Sequence, residues 1–381
     1  MSTLEEFLSA GVLVAGNAWM SVAPATDRKM EGQDMKIVDR SKRNRNITRR
    51  RFLQVSAAAT ASAALIGMPA LVRAQRARTF RFGSPTQPNT TYTQAMEIFA
   101  TEAAKLSNNT VKIELYPSYQ LGSIKDMLQA TQLGTQSIGM AVPAWFSSWA
   151  RPMDVYSLPF LVSSQERLWS ALTGPFGERV VKPIETAGFK PLGYWIMGPR
   201  QMANNVRPIR KPEDMKGLKV RVINSPVFME TFRSLGANPV GLDASEMYLA
   251  LQQKTVDGVD NATVDLVNLK LYEVTKYLSM TSHITDFFLV VMNKGLWDGL
   301  SSDEQKAIMQ AMRKSMEWEW KAQPDAIKAS VDKLRGSMQV NEITAEERKA
   351  FVEATRPVAR QFEGSIGKDV IEQAIRELGP S

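Results

Sequence analysis

Short stretches of alternating apolar residues take turns with stretches of helical period along most of this chain, and no other feature limits its fold as much. Thr79–Ser84 alternates as a strand, and Tyr92–Leu106 carries Met96, Phe99, Ala100, Ala103 and Leu106 at helical spacing. Val111–Tyr116 alternates again, Ser123–Leu133 is amphipathic behind a Ser123 N-cap, and Ile138–Val142 reads as a buried strand. Helices follow over Gln165–Leu172 and Phe176–Ala187, and strands over Phe189–Ile196 and Leu218–Val222. Ser225-Pro226 opens a helix to Leu235, with Pro at the first helical position, where its missing N–H would have had no helical partner. Ala244–Gln253 reads as a helix, Val256–Asp260 and Ile284–Met292 as strands, and Ser302–Leu334 as a long helix. Two terminal helices complete the pattern: Ala345–Phe362, behind the capping box Thr344/Glu347, and Asp369–Leu378. Strand then helix, repeated, predicts α/β layers. A boundary falls between Trp195 and Gln201, where a strand gives way to Gly198-Pro199, and a second crossing falls near Asp286. The long helix is expected to pack within its own chain, which predicts a monomer, with a dimer surface as the alternative.

Composition removes whole classes of function. An apolar share of 44% in 381 residues supports a packed core and excludes a disordered chain. With no Cys there are no disulfides, thiolate metal sites, cysteine nucleophiles or lipid-anchoring cysteine. A single His, His283, excludes multi-histidine metal sites, and its place before an apolar strand reads as structural. The chain lacks G-x-S-x-G, H-E-x-x-H, Walker A and G-x-G-x-x-G patterns. Gly367-Lys368 looks like the end of a phosphate loop, but Phe362 stands where Gly is needed. Asp257 and Asp260 lie three apart on a strand and face opposite sides. No enzyme, metal or cofactor is therefore expected.

The net charge of +8 suggests nucleic acid or membrane until its distribution is considered. Residues 1–74 hold 11 basic and 6 acidic side chains, so the body is close to neutral and no nucleic-acid partner is expected. The basic segment ends in Thr48-Arg-Arg-Arg-Phe-Leu-Gln54, followed by the mild apolar run Val55–Met68 and then Val72-Arg73-Ala74. Charged, apolar and cleavable parts in that order make a secretory signal, and the paired Arg before Phe-Leu resembles the twin-arginine export motif. Cleavage is expected after Ala74, giving a periplasmic protein. Residues 1–29 read badly as a signal, and Met30 and Met35 are alternative starts.

The informative residues run from Arg200 to Asn261. In Lys211-Pro-Glu-Asp-Met-Lys-Gly-Leu-Lys-Val-Arg-Val222, Leu218, Val220 and Val222 share one strand face, and Lys219 and Arg221 the other. A mid-strand Arg must be solvated, paired or aimed into a cleft. Together with Leu115-Tyr-Pro-Ser-Tyr-Gln-Leu-Gly122 and the run Leu235–Gln252 into Val256-Asp-Gly-Val-Asp-Asn261, this segment resembles the solute-binding proteins of tripartite ATP-independent periplasmic (TRAP) transporters. Leu158-Pro-Phe160 and Leu271–Tyr277 fit the same pattern. The resemblance implies a two-lobed clamshell with mixed sheets and helices crossing between lobes. It implies lobe I from 75–198 plus about 287–326 and lobe II from 199–286 plus about 327–381.

It further implies that Arg221 grips a ligand carboxylate, that Asn261 and Asn224 orient the ligand, and that Arg200 is a second cation. Gln87, Asn89 and Trp145 lie on loops that the family turns toward ligand. The implied function is capture of a small organic acid anion and its delivery to TRAP-type permease subunits. An ATP-driven importer or a sensor for a receptor is the alternative destination. Where many members carry an aromatic before Ser-Glu, this chain has Ala244, and where many read Glu-Asn-Pro it reads Asp260-Asn-Ala262. Dicarboxylate or sialic-acid specificity therefore does not follow from the resemblance.

Overall fold

Ten strands form along the alternating stretches of the computed structural model, which describes residues 77–379. They are β1 Arg78–Gly83, β2 Val111–Tyr116, β3 Ile138–Ala141, β4 Phe189–Asn204 and β5 Lys219–Val222. β6 Asn238–Gly241, β7 Gly258–Ala262, β8 Tyr277–Met280, β9 Thr285–Asn293 and β10 Gln339–Glu342 follow. The basic leader and its expected cleavage point lie outside the described residues.

The strand path β2-β1-β3-β9-β4-β7-β5-β6 divides at β4 into two sheets. In the first, β1 pairs parallel with β2 and β3, and β9 pairs antiparallel with β3 and β4. In the second, β7 is antiparallel to β4 and parallel to β5, while β8 joins β4 to β10. The result is an α/β architecture in two lobes, crossed by β4.

β4 is 16 residues long because it serves both sheets. Phe189–Pro199 runs along β9, and Arg200–Asn204 runs along β7. The sequence predicts a strand that stops before Gly198-Pro199; the chain instead bends there and goes on pairing. A register shift between Ile196 and Gly198 marks the bend, and Gly198 has φ +98°. A bulge frees backbone groups, and here the long helix supplies partners for them. Glu319 accepts from the Ile196 N–H at 2.9 Å, and the Gln323 amide donates to the Met197 carbonyl at 3.3 Å. A Cβ on residue 198 would sit 2.7 Å from Ile327 Cδ1. Gly198→Ala is therefore expected to lower stability by about 1–3 kcal/mol, measured as a fall in urea midpoint. A wild-type midpoint would show that the bend does not need glycine.

The helix Ser302–Arg335 packs along Thr91–Leu106, β4 and Thr263–Asn268. Its 34 residues span about 51 Å, enough to lie across both lobes. Its buried stripe, Ile308, Ala311, Met312, Ser315, Glu319 and Gln323, recurs every three or four residues and faces the protein's own core. The expected helix Phe176–Ala187 divides into Pro175–Val181 and a tighter turn Lys182–Ala187, because Pro183 interrupts it.

The C-terminal helices part company. Ala345–Gln361 packs on Pro226–Ser234 of the second lobe, whereas Lys368–Leu378 packs on Gln165–Thr173 and Pro175–Val181 beside the first sheet. Val370, Ile371, Ala374 and Leu378 enter the same apolar cluster as Leu168, Leu172 and Phe176.

Candidate functional site

Val220 and Val222 of β5 are buried in the core, and the pleat sends the residues between and beyond them the other way. Arg221 and Ile223 thereby border a cavity of about 510 Å³, while Asn224 is turned away from it and exposed. β5 lies beside β7, where Arg221 is in register with Val259, and Asn261 reaches the same cavity two residues further on.

Arg221 is 2% exposed. Its Nε and Nη2 donate to the Leu242 carbonyl at 3.0 and 2.7 Å, and no carboxylate of the described residues forms an ion pair with it. Burial pulls its pKa down to about 10; Asp260 works against that pull and Arg200 adds to it. A buried guanidinium without a counter-charge, at the wall of a cavity, is a site for an anion.

Arg200 borders the same cavity but is differently placed. Its Nε donates to Asp260 Oδ2 at 2.6 Å, its Nη1 to Asp286 Oδ2 at 3.2 Å and its Nη2 to the Asp260 carbonyl at 2.8 Å. The guanidinium also lies over the Phe228 ring. Burial alone would lower its pKa, but the two carboxylates outweigh it and raise it. Burial pushes Asp260 up, yet Arg200 and His283 hold it well below the usual range. Asp286, more weakly held, is raised by burial to about 6. His283 completes this cluster, with Nδ1 at 2.8 Å from Thr281 Oγ1 and Nε2 at 3.5 Å from Asp260. The charge expected of Arg200 as a second ligand cation is thus taken up inside the protein, where β4, β7 and β9 meet.

The other expected residues divide. Asn261 Oδ1 accepts from the Ala262 N–H at 2.9 Å, which leaves its Nδ2 only a long contact to Met247 Sδ at 3.9 Å. Trp145, in the turn Pro143–Phe146, and Gln87 border the cavity from the first lobe. Asn89 does not: it is exposed, at φ +63°, in the turn before Thr91–Leu106, a conformation Asn tolerates well. Ala244 does border the cavity, so a methyl stands at the wall where an aromatic was noted as missing.

Tyr119, Asp265 and Asn268 are among the cavity residues that the sequence does not mark. Tyr119 lies in the middle of the Leu115–Gly122 motif; Ser118 and Tyr119 are both left-handed, at φ +56° and +60°, and this turns the ring onto the cavity. Their N–H groups donate to the carbonyls of Thr86 and Ser84 at 2.9 and 3.1 Å, which holds the strained pair. Asp265 and Asn268 lie one turn apart on Thr263–Asn268, directly after the strand that carries Asn261. Burial pushes Asp265 up to about 7, opposed by Arg200 and assisted by Asp286. The i, i+3 spacing of these two polar residues was the available signal.

Comparison with known proteins gives a consistent answer. The family model described as bacterial extracellular solute-binding protein, family 7, matches residues 82–365. The C4-dicarboxylate-binding periplasmic protein DctP of Rhodobacter capsulatus is 30% identical over 325 residues, 84% of this chain and 96% of that one. The 2,3-diketo-L-gulonate-binding periplasmic protein YiaO of Escherichia coli is 30% identical over 298 residues, 78% of this chain and 90% of that one. A TRAP periplasmic solute-binding protein of Sulfurospirillum deleyianum, solved with bound succinate, superposes with a TM-score of 0.73 at 30% identity, covering 78% of this chain and 97% of that one. The sugar acid binding protein of Advenella mimigardefordensis, solved with galactonate, gives a TM-score of 0.77 at 29% identity, with 80% and 98% covered. With the family model spanning both lobes and relatives matched over nearly their whole length, the chain belongs to the bacterial extracellular solute-binding proteins of family 7.

Proposed function

We propose that this protein captures a small organic acid anion between its lobes and delivers it to a TRAP-type membrane permease, without transforming it. The buried Arg221, which forms no ion pair among the described residues and faces the cavity, carries this reading. A guanidinium meets a carboxylate with two parallel N–H donors, which a bare cavity wall cannot supply. Asn261 adds a free amide donor on the same lobe, and Trp145 and Gln87 cover the ligand from the other. An anion that touches both lobes favours the closed state by the free energy of the contacts made only there. The relatives that carry succinate and galactonate support an acid as the ligand class.

Lobe I takes 75–198, about 287–326 and the last helix, and lobe II takes 199–286 and the remainder. The movement is placed at the β4 bend near Gly198 and at Asp286. The protein works as a periplasmic monomer, exported by the twin-arginine route with cleavage after Ala74.

A thermal-shift screen of the mature protein against an organic acid library tests the reading. A ligand at about 100 times its Kd adds about 2.7 kcal/mol to stability. Stabilisation by one or a few carboxylates, without their turnover, is the expected result. Turnover of the stabilising acid, or no stabilisation by any carboxylate, overturns it.

A further inference from the structure

Beyond the Arg221 end, the cavity wall carries an acidic side chain with no partner among the described residues. The Asp265 carboxyl makes no hydrogen bond or ion pair among the described residues, and it borders the cavity together with Asn268. The charges that act on Asp265 are Arg200 and Asp286, whereas those acting on Arg221 are Asp260, Arg200, Tyr119 and Asp243. A carboxylate seated on Arg221 therefore leaves Asp265 to another part of the ligand. The charge of Arg200 is already shared between Asp260 and Asp286, so it does not offset a second carboxylate there. The rest of the wall includes Val142, Ile223 and Phe288, which suit a hydrocarbon body.

We propose that Asp265 sets the specificity of this cavity by accepting a hydrogen bond from a donor group, hydroxyl or ammonium, on a monocarboxylate held by Arg221. The inference rests on the reading of Arg221 as the carboxylate site. At pH 8, above the value of about 7 to which burial raises Asp265, a second carboxylate against it meets a like charge and no donor, so the cavity there selects against dicarboxylates by repulsion as well as for donors by attraction. The ligand is then a hydroxy or amino monocarboxylic acid with an apolar body.

Matched ligands test this by calorimetry at pH 8: succinate, its analogue with one carboxylate replaced by a hydroxymethyl group, and the analogue bearing an ammonium on that carbon. Galactarate and galactonate form a second, longer pair. The wild-type protein is expected to prefer the donor-bearing member of a pair by about tenfold or more. Asp265→Asn, which keeps the shape and adds a donor, is expected to bring that ratio to one or below while leaving the melting temperature of the unliganded protein unchanged. Relative affinity for the hydroxyl and ammonium analogues identifies the donor. Equal or tighter binding of the dicarboxylates by wild type, or an unchanged ratio in Asp265→Asn, overturns the role of Asp265 and leaves Arg221 untouched. Failure of every member to bind overturns both.

Discussion

Arg221→Ala is expected to lose measurable binding of the stabilising acid while leaving the unliganded protein about as stable as before. The first half follows from the anion's side. A carboxylate transferred into this cavity gives up its water, and without the guanidinium it gains no charge to replace it. Truncating one partner of a buried, hydrogen-bonded charge pair costs about 2–5 kcal/mol, roughly 30- to 5,000-fold in Kd. The second half follows from the free protein. Arg221 is buried with two donors on one carbonyl and no counter-charge, so its removal relieves as well as removes. The unliganded stability is expected to stay within about 1 kcal/mol of wild type. Arg221→Lys keeps the charge but loses the fork, and is expected to bind much more weakly than wild type. Calorimetry for affinity and urea denaturation for stability check the two halves separately. Unchanged affinity in Arg221→Ala would place the anion elsewhere.

Arg200→Ala is expected to show the opposite pattern, a large loss of folding stability. Removing this guanidinium leaves Asp260 and Asp286 buried without their shared partner. Breaking a buried pair in this way costs about 3–5 kcal/mol. The deficit also has a pH signature. Both carboxyls would then have raised pKa values in the folded variant, so the folded state binds more protons than the unfolded chain. Stability of the variant is therefore expected to recover as pH falls from about 8 to about 5, through the raised values. Asp286, already raised to about 6 with Arg200 present, marks where that recovery is centred or above which it begins. A wild-type urea midpoint with weakened ligand binding would instead make Arg200 a ligand cation, as its place in the sequence first suggested.

The two arginines show how far the sequence reaches into the site. Both lie in apolar strands, and nothing in their flanking residues separates a paired Arg from an unpaired one. The difference arises from register. Across the antiparallel pair β4–β7, Arg200 opposes Ala262 and Met202 opposes Asp260, which puts Arg200 and Asp260 on one face as diagonal neighbours. β9 brings Asp286 against Gly198, two residues from Arg200. Arg221, in β5, has only the Leu242 carbonyl at hand. The same pleat explains why Asn224 misses the cavity that Ile223 borders.

Helix ends were more legible than strand ends. Ser123 and Thr344 cap as the sequence indicates, each in a full capping box. Ser225 stands at the N-cap of Pro226–Ser234 as expected, although its side chain makes no capping bond. The four-residue strands β6, β8 and β10 do not stand out in the sequence: they lack the apolar run of β3 and the flanking alternation Leu218, Val220, Val222 of β5, which are equally short, and each is defined by its neighbour. β4 was read too short for a related reason. Gly198-Pro199 signals a break locally, but Glu319 and Gln323, more than a hundred residues away, satisfy the backbone through the bend.

By itself, then, the sequence determined the α/β class, the helix starts, the concentration of net positive charge in residues 1–74 and the family. These rest on local periodicity, capping chemistry and motifs whose order along the chain is their information. Only the tertiary structure decided which arginine is ion-paired, that Tyr119, Asp265 and Asn268 share a cavity with the other, and that the last helix packs on Gln165–Thr173. Those outcomes depend on pairing between strands and helices far apart in the chain, where burial removes water and makes the presence or absence of a single counter-charge decisive.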